Sequence, residues 1–253
     1  MYKRALYAQL AQYYDKIYWS KDYKQEVKFL VKLFQRNGVT GRELLEVGCG
    51  TGNHTKLFVG KGYRVTALDL SGDVLRIAER KVRRGATFVQ GDMRDLDSTV
   101  RGEFDAVVCL FSTISYNLTR SDLKKTIHGF YEHVKDDGIV AFDTHFTTKG
   151  FLDGYRGEDI FDDGKVIVAR LSTSKRVGDV GEISFTYLIK DGRKVITLRN
   201  DVHRLGLFVP EVFIEIMREV GFKTAEAYSD WSFRRGSNTA AFKETVFVGR
   251  KRV

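Results

Sequence analysis

The 253-residue chain holds two cysteines and one proline, and no apolar run approaches the roughly 20 residues that a bilayer-spanning helix needs. Cys49 and Cys109 both lie in apolar, strand-like contexts, with no CxxC pair or Cys/His spacing near them. A structural disulfide and a zinc site are therefore not expected, and no metal is assigned. The opening segment "MYKRALYAQLAQYYDKIY" lacks the continuous apolar stretch and small-residue cleavage site of a signal peptide. A cytoplasmic protein with no membrane partner is expected. Low-complexity tracts and internal repeats are missing too, so disorder is not expected. What remains is an ordinary folded composition, 43% hydrophobic, long enough for one large α/β domain or one domain with a substantial insertion.

Charge is unevenly placed. Residues 1–40 carry eight Lys/Arg against three Asp/Glu, while the rest is nearly balanced. Lys24, Lys28, Lys32 and Arg36 recur every four residues beside Val27, Leu30, Val31 and Phe34, which predicts a helix with a basic ridge behind its buried stripe. Such a ridge is either a solvated face or an attraction for a phosphate-bearing substrate such as a nucleotide sugar or RNA.

From residue 41, strand-like runs alternate with amphipathic helical stretches: "ELLEVGC", "YRVTALDL", "ATFVQGD", "FDAVVCLFS" and "IVAFDTHF" are the strands. This alternation predicts parallel strands with crossover helices on both faces. After residue 148 the rhythm changes. "KVIVARLSTSKR", "EISFTYLIK" and "KVITLRNDVHRL" read as an antiparallel meander, so residues 149–206 are taken as a β-rich insertion, a lid or a wall of the acceptor pocket. Residues 1–40 then form an N-terminal helical cap, and 41–148 with 207–253 form the cofactor-binding domain. "VPEVFIEIMREVGF" restores a helix, with Pro210 near its start, before two closing strands joined by "SFRRGSNT".

The stretch "LLEVGCGTGNHT" joins the first strand to a helix. A dinucleotide turn would read G-x-G-x-x-G, but position 53 is Asn, and the third glycine falls early, at Gly52 after Gly48 and Gly50. Glu46 precedes them, poorly suited to a phosphate and well suited to an ammonium. Asp69 ends the second strand, where a carboxylate can accept bonds from both ribose hydroxyls. Asp92 ends the third, where it can accept from an adenine amino group while Met93 covers the ring. Cys49, Leu70 and Leu110, beside these turns, complete the candidate cofactor set. Together they suit an adenosyl ligand with a cationic end and no phosphate.

On these motifs the chain resembles the class I S-adenosylmethionine-dependent methyltransferases: "LLEVGCGTG" looks like their first motif, "ALDLS" their ribose acid, "QGDMRDL" their adenine segment and "FDAVVCLFSTISY" their fourth motif. The resemblance implies a Rossmann-like α/β fold with a seven-stranded sheet of order 3-2-1-4-5-7-6, the last strand antiparallel, and S-adenosyl-L-methionine as cofactor. A narrower resemblance, through "QYYDKIY", "FDAVVCLFSTISY", "FLDGY" and the insertion, is to N,N-dimethyltransferases of nucleotide-linked deoxyamino sugars and related small-molecule N-methyltransferases. "FDTHF" stands where those enzymes carry a Pro-Trp-Trp-Phe-like segment.

Methyl transfer to a neutral amine needs placement more than a strong acid or base. Tyr14 and Tyr18, four apart, would share a helix face, and the resemblance places them over the cofactor and acceptor, against the methionine carboxylate or the sulfonium. His145, past the fifth strand, and His203, where the insertion rejoins the core, are candidates to orient or deprotonate the acceptor. His128 and His133 read as structural or exposed, and His54 as a packing residue of a first helical turn. Alternatives to a small-molecule acceptor are an RNA methyltransferase and a non-catalytic cofactor-binding regulator. A homodimer is left open.

Overall fold

The computed structural model describes residues 4–237 and 243–252, so residues 238–242, which include the end of the loop "SFRRGSNT" and the start of the last strand-like segment, lie outside the described residues. Five strands form the parallel part of the main sheet: β1 (Glu43–Val47), β2 (Arg64–Asp69), β3 (Ala86–Gln90), β4 (Phe104–Cys109) and β5 (Val134–Thr144). Leu44, Leu45 and Val47 in β1 and Ala106, Val107 and Val108 in β4 are all completely buried. Continuous burial follows from helices on both faces, and it explains why these strands read as unbroken apolar runs. With β10 (Thr224–Ser229) and β11 (Thr245–Arg250) the sheet has seven strands in the order β10-β11-β5-β4-β1-β2-β3, and β11 runs antiparallel to β5. With the four inserted strands left out of the numbering, this is the order 3-2-1-4-5-7-6.

The helices start where local chemistry caps them. In α2 (Tyr23–Arg36) the Asp22 side chain accepts from Gln25 N–H, in α4 (Gly72–Lys81) Ser71 accepts from Asp73 N–H, and in α5 (Arg120–His133) Thr119 accepts from Asp122 N–H. The short α1 (Tyr14–Ile17) lies before α2, and α3 (Asn53–Gly60) follows the glycine turn. In α6 (Pro210–Val220), Pro210 occupies the first turn. The basic ridge of α2 is exposed, with Arg36 lying over the Phe233 ring. Among the described residues no helix is long and apolar enough to cross a membrane.

Three features depart from expectation. β5 starts at Val134, not near Ile139, because the register jumps between Phe104↔Val134 and Ala106↔Ile139; the Asp136-Asp137-Gly138 turn signal is absorbed as a bulge. The second sheet has four strands, β6 (Arg156–Asp162), β7 (Val166–Val177), β8 (Val180–Asp191) and β9 (Lys194–Gly206). Three match the expected meander, and β6 was not anticipated, since "RGEDIFD" is charged and mostly exposed, as an edge strand can be. Residues 1–40 also divide: Val27, Leu30 and Phe34 of α2 pack on the main sheet, whereas Leu6, Leu10, Tyr14 and Ile17 pack on Val168, Tyr187 and Ile189 of the second sheet. The N-terminal segment is thus seated between the two sheets.

Candidate functional site

The turn between β1 and α3 is shaped by glycines that a side chain would obstruct. Gly48 has φ +76°, and a Cβ there would lie 2.4 Å from Thr113 Cγ2; Gly52 has φ +78°, and its Cβ would meet Ala78 of α4 at 3.0 Å. Gly48 and Cys49 donate their N–H groups to Leu68 O at 2.7 and 3.0 Å, which ties the turn to β2. Asp69, at the end of β2, accepts from Gly50 N–H through Oδ2 and from Ser71 N–H through Oδ1, both at 2.9 Å. Burial pushes its carboxyl upward, while those backbone N–H groups pull it down. Each oxygen keeps a lone pair for a further donor.

A cavity of about 780 Å³ opens above this turn, at the C-terminal ends of the strands. Gly48, Cys49, Gly50 and Asp69 line it, as do Leu70, Asp92, Met93, Leu110 and Tyr14. Asp92 is already held by Arg94, whose Nε and backbone N–H donate at 2.9 Å; this pairing lowers its carboxyl. Gly52 acts from beneath, by letting α4 approach. Asp15 fastens α1 to the turn, accepting from Thr51 Oγ1 at 2.6 Å and Lys81 Nζ at 2.7 Å. His54 bonds Glu26 of α2 through Nε2 at 2.6 Å, joining helix packing to the cavity wall.

Glu46 lies under the turn rather than on the wall: it is 1% exposed and accepts from Thr55 Oγ1 at 2.6 Å. Burial drives its carboxyl up to about 8, the Asp69 charge adding and the Thr55 hydroxyl opposing. A raised folded-state value means that its contribution to stability is complete below the ordinary value of 4.5 and is lost as pH rises to about 8. Glu46→Gln should escape that loss. In urea melts, the stability of the variant relative to the parent is expected to rise by about 3 kcal/mol between pH 5 and pH 8; a pH-independent difference would contradict it.

A second cavity, about 490 Å³, lies between the main sheet's edge and the second sheet. Tyr7, Phe111 and Tyr116 line both cavities and so form the junction between them. Phe111 and Ser112 take φ of +58° and +55°, a strained backbone for residues with side chains. His145 and His203 both line this second cavity. His145 Nδ1 lies 3.0 Å from Ser112 Oγ, and desolvation, helped by the charge of Lys21, holds the imidazole down to about 4. Tyr18 lines this cavity and not the first; its ring lies tilted against that of Tyr14, centroids 4.8 Å apart. Arg170 is paired with Asp159, and Lys21 with Glu26. Sequence reasoning missed Tyr7, Phe111 and Tyr116. "FSTISY" carried a signal at the end of β4, but Tyr7 reaches the site only through tertiary packing.

The geometry fits an adenosyl ligand: a side-chain-free turn, a carboxylate with unused lone pairs at the neighbouring strand end, and a long cavity ending among aromatic rings. A family model described as a methyltransferase domain matches residues 44–138. Over 81% of this chain and 80% of the relative, the sequence is 33% identical to the dTDP-3-amino-3,6-dideoxy-alpha-D-glucopyranose N,N-dimethyltransferase of Streptomyces fradiae. The chain belongs to the S-adenosylmethionine-dependent methyltransferases. The methyltransferase is also 32% identical to the dTDP-3-amino-3,4,6-trideoxy-alpha-D-glucopyranose N,N-dimethyltransferase of Streptomyces venezuelae, over 78% of this chain and 83% of that one. Its structure is similar to the sugar N-methyltransferase from Streptoalloteichus, with a TM-score of 0.82, 29% identity, and 95% and 93% of the two chains covered. The methyltransferase thus uses S-adenosylmethionine, whose sulfonium supplies an electrophilic methyl group.

Proposed function

We propose that this enzyme methylates the nitrogen of a small-molecule amine, an amino sugar or a compound like one. The observation that carries this reading is the paired cavities, which meet at Tyr7, Phe111 and Tyr116. An acceptor held in the smaller cavity brings its nucleophile to that junction. A space of about 490 Å³, backed by the second sheet, suits a sugar-sized molecule and not an RNA duplex. The substrates named for the Streptomyces relatives support an amine. Residues 149–206 serve as the acceptor wall in this reading, and 41–148 with 207–253 as the cofactor domain.

Asp69 and the backbone around Gly48 and Gly50 would hold the adenosyl part, with Met93 and Leu110 on its apolar faces. Tyr14 would present its ring to the cationic end. Holding nucleophile and methyl group in line can contribute on the order of 7 to 11 kcal/mol of the barrier, so placement is the enzyme's main task. His145 and His203, both with imidazoles lowered by desolvation, stand on the acceptor side as neutral groups. A cytoplasmic location belongs to the same reading, supported by two buried free cysteines.

Incubation with labelled cofactor and a panel of free amino sugars, nucleotide-linked amino sugars, simple amines and RNA tests the proposal. Label is expected on an amino-sugar nitrogen, and the two sugar arms tell whether a phosphate-bearing carrier is needed. Label confined to RNA, or cofactor binding without transfer to any arm, would overturn it.

A further inference from the structure

The junction contains a hydrogen-bonded chain that neither the cofactor motifs nor the acceptor cavity alone explains. Tyr116 Oη lies 2.6 Å from His203 Nδ1 and 2.9 Å from Tyr7 Oη. His203 Nε2 lies 3.4 Å from Asp201 Oδ2, and Asp201, 1% exposed, also accepts the backbone N–H groups of Ala5 and Leu6 at 2.9 and 3.0 Å.

We propose that the Tyr116 hydroxyl orients the acceptor nitrogen, and that His203 and Asp201 act through it as positioning residues. The inference rests on the N-methylation reading above. An ionised carboxylate only accepts, so Asp201 places the imidazole proton on Nε2 and leaves Nδ1 bare. The Tyr116 O–H must then donate to His203 Nδ1, and Tyr7 O–H donates to the Tyr116 oxygen. One acceptor position remains on that oxygen, at the wall shared by the two cavities. An amine that donates N–H to it is fixed with its lone pair directed away from the tyrosine. No proton needs to leave the amine during transfer, and the chain works by orientation alone.

The groups around His203 favour the neutral imidazole that this tautomer requires. Tyr116 faces it from the turn after β4, Tyr7 and Arg4 from the N-terminal segment, Asp201 from its own strand, and Phe185 and Arg170 from β8 and β7. Desolvation together with Arg4 and Arg170 disfavours the imidazolium, and Asp201 opposes them. Because Asp201 also grips Ala5 and Leu6, docking of the segment that carries Tyr7 and alignment of Tyr116 depend on one carboxylate.

The test uses the amine identified by the labelling panel. Tyr116→Phe and His203→Leu should each lower kcat by about tenfold or more, with the cofactor's Kd changed less than about twofold. The double variant should be no slower than Tyr116→Phe, since residues acting through one group are not additive. His203→Asn, which keeps an acceptor at the Nδ1 position, should recover most of the loss and guards against a folding defect in His203→Leu. Multiplicative losses in the double variant, or full activity in Tyr116→Phe, would overturn the proposal. Nitrogen NMR of 15N-histidine-labelled enzyme gives a readout that needs no acceptor: the signal absent from His203→Asn should show Nε2–H, and an Nδ1–H signal would refute the chain. If the parent enzyme methylated no amine, the N-methylation reading would fail while this tautomer result still stood.

Discussion

Asp69→Ala should lower the affinity for S-adenosylmethionine by at least about 100-fold, because two or more charge-assisted hydrogen bonds, each about 1.5 to 3 kcal/mol, are lost together. The carboxylate does two things at once. It holds Gly50 N–H and Ser71 N–H, which set the glycine turn and the start of α4. Its remaining lone pairs face the cavity, where a ribose can donate. Asp69→Asn separates the two roles: the amide oxygen keeps one acceptor and loses the charge, so an intermediate loss is expected. Calorimetry with S-adenosylhomocysteine measures both variants, and near-parental affinity in Asp69→Ala would remove this residue from the cofactor site.

Gly48→Ala should be nearly as damaging. A left-handed backbone costs a residue with Cβ about 1 to 2 kcal/mol, and the new methyl group would sit 2.4 Å from Thr113 Cγ2. Relief requires the turn, or the segment after β4, to move by a sizeable fraction of an ångström. Both line the cofactor cavity, and a misplacement of about 1 Å can cost about 100-fold in rate. Turnover at saturating cofactor is therefore expected to fall by about that factor. Thr113→Ala in the same chain removes the Cγ2 obstruction but leaves the φ strain and the Thr113 Cβ position, 3.1 Å away. Partial recovery in the double variant is the expected result; none at all would place the damage elsewhere.

The parts of the site that could be read in the sequence are those that a local pattern encodes. The early third glycine, the acid at the end of β2 and the apolar strand runs each express a constraint within a few residues; their alternation gave parallel strands with crossover helices, while the sheet order came from the resemblance. Glu46 shows the limit of such reading. Its position before the turn was legible, but its side chain points beneath the turn to Thr55, which depends on how α3 packs. Tyr18, which the resemblance placed with Tyr14 over the cofactor and acceptor, lines the second cavity and not the first, a division that depends on tertiary packing of the N-terminal segment. Phe111 and Tyr116 both lie in "FSTISY", but Tyr7 shares no motif with them. They are brought together by long-range packing and by a strained Phe111-Ser112 backbone, neither of which leaves a periodic trace. β6 was missed because an edge strand paired on one side can be built from charged residues.

The grip of Asp201 on Ala5 has a consequence for synthesis on the ribosome. The two partners are 196 residues apart, which at about 5 to 20 residues per second means that the first waits about 10 to 40 s for the second to be made. Through that interval Leu6, Leu10 and Tyr14 have no second sheet to cover them. Until β9 is made these apolar side chains lack their native cover, and the wall formed by Tyr7 and Tyr116 cannot be completed.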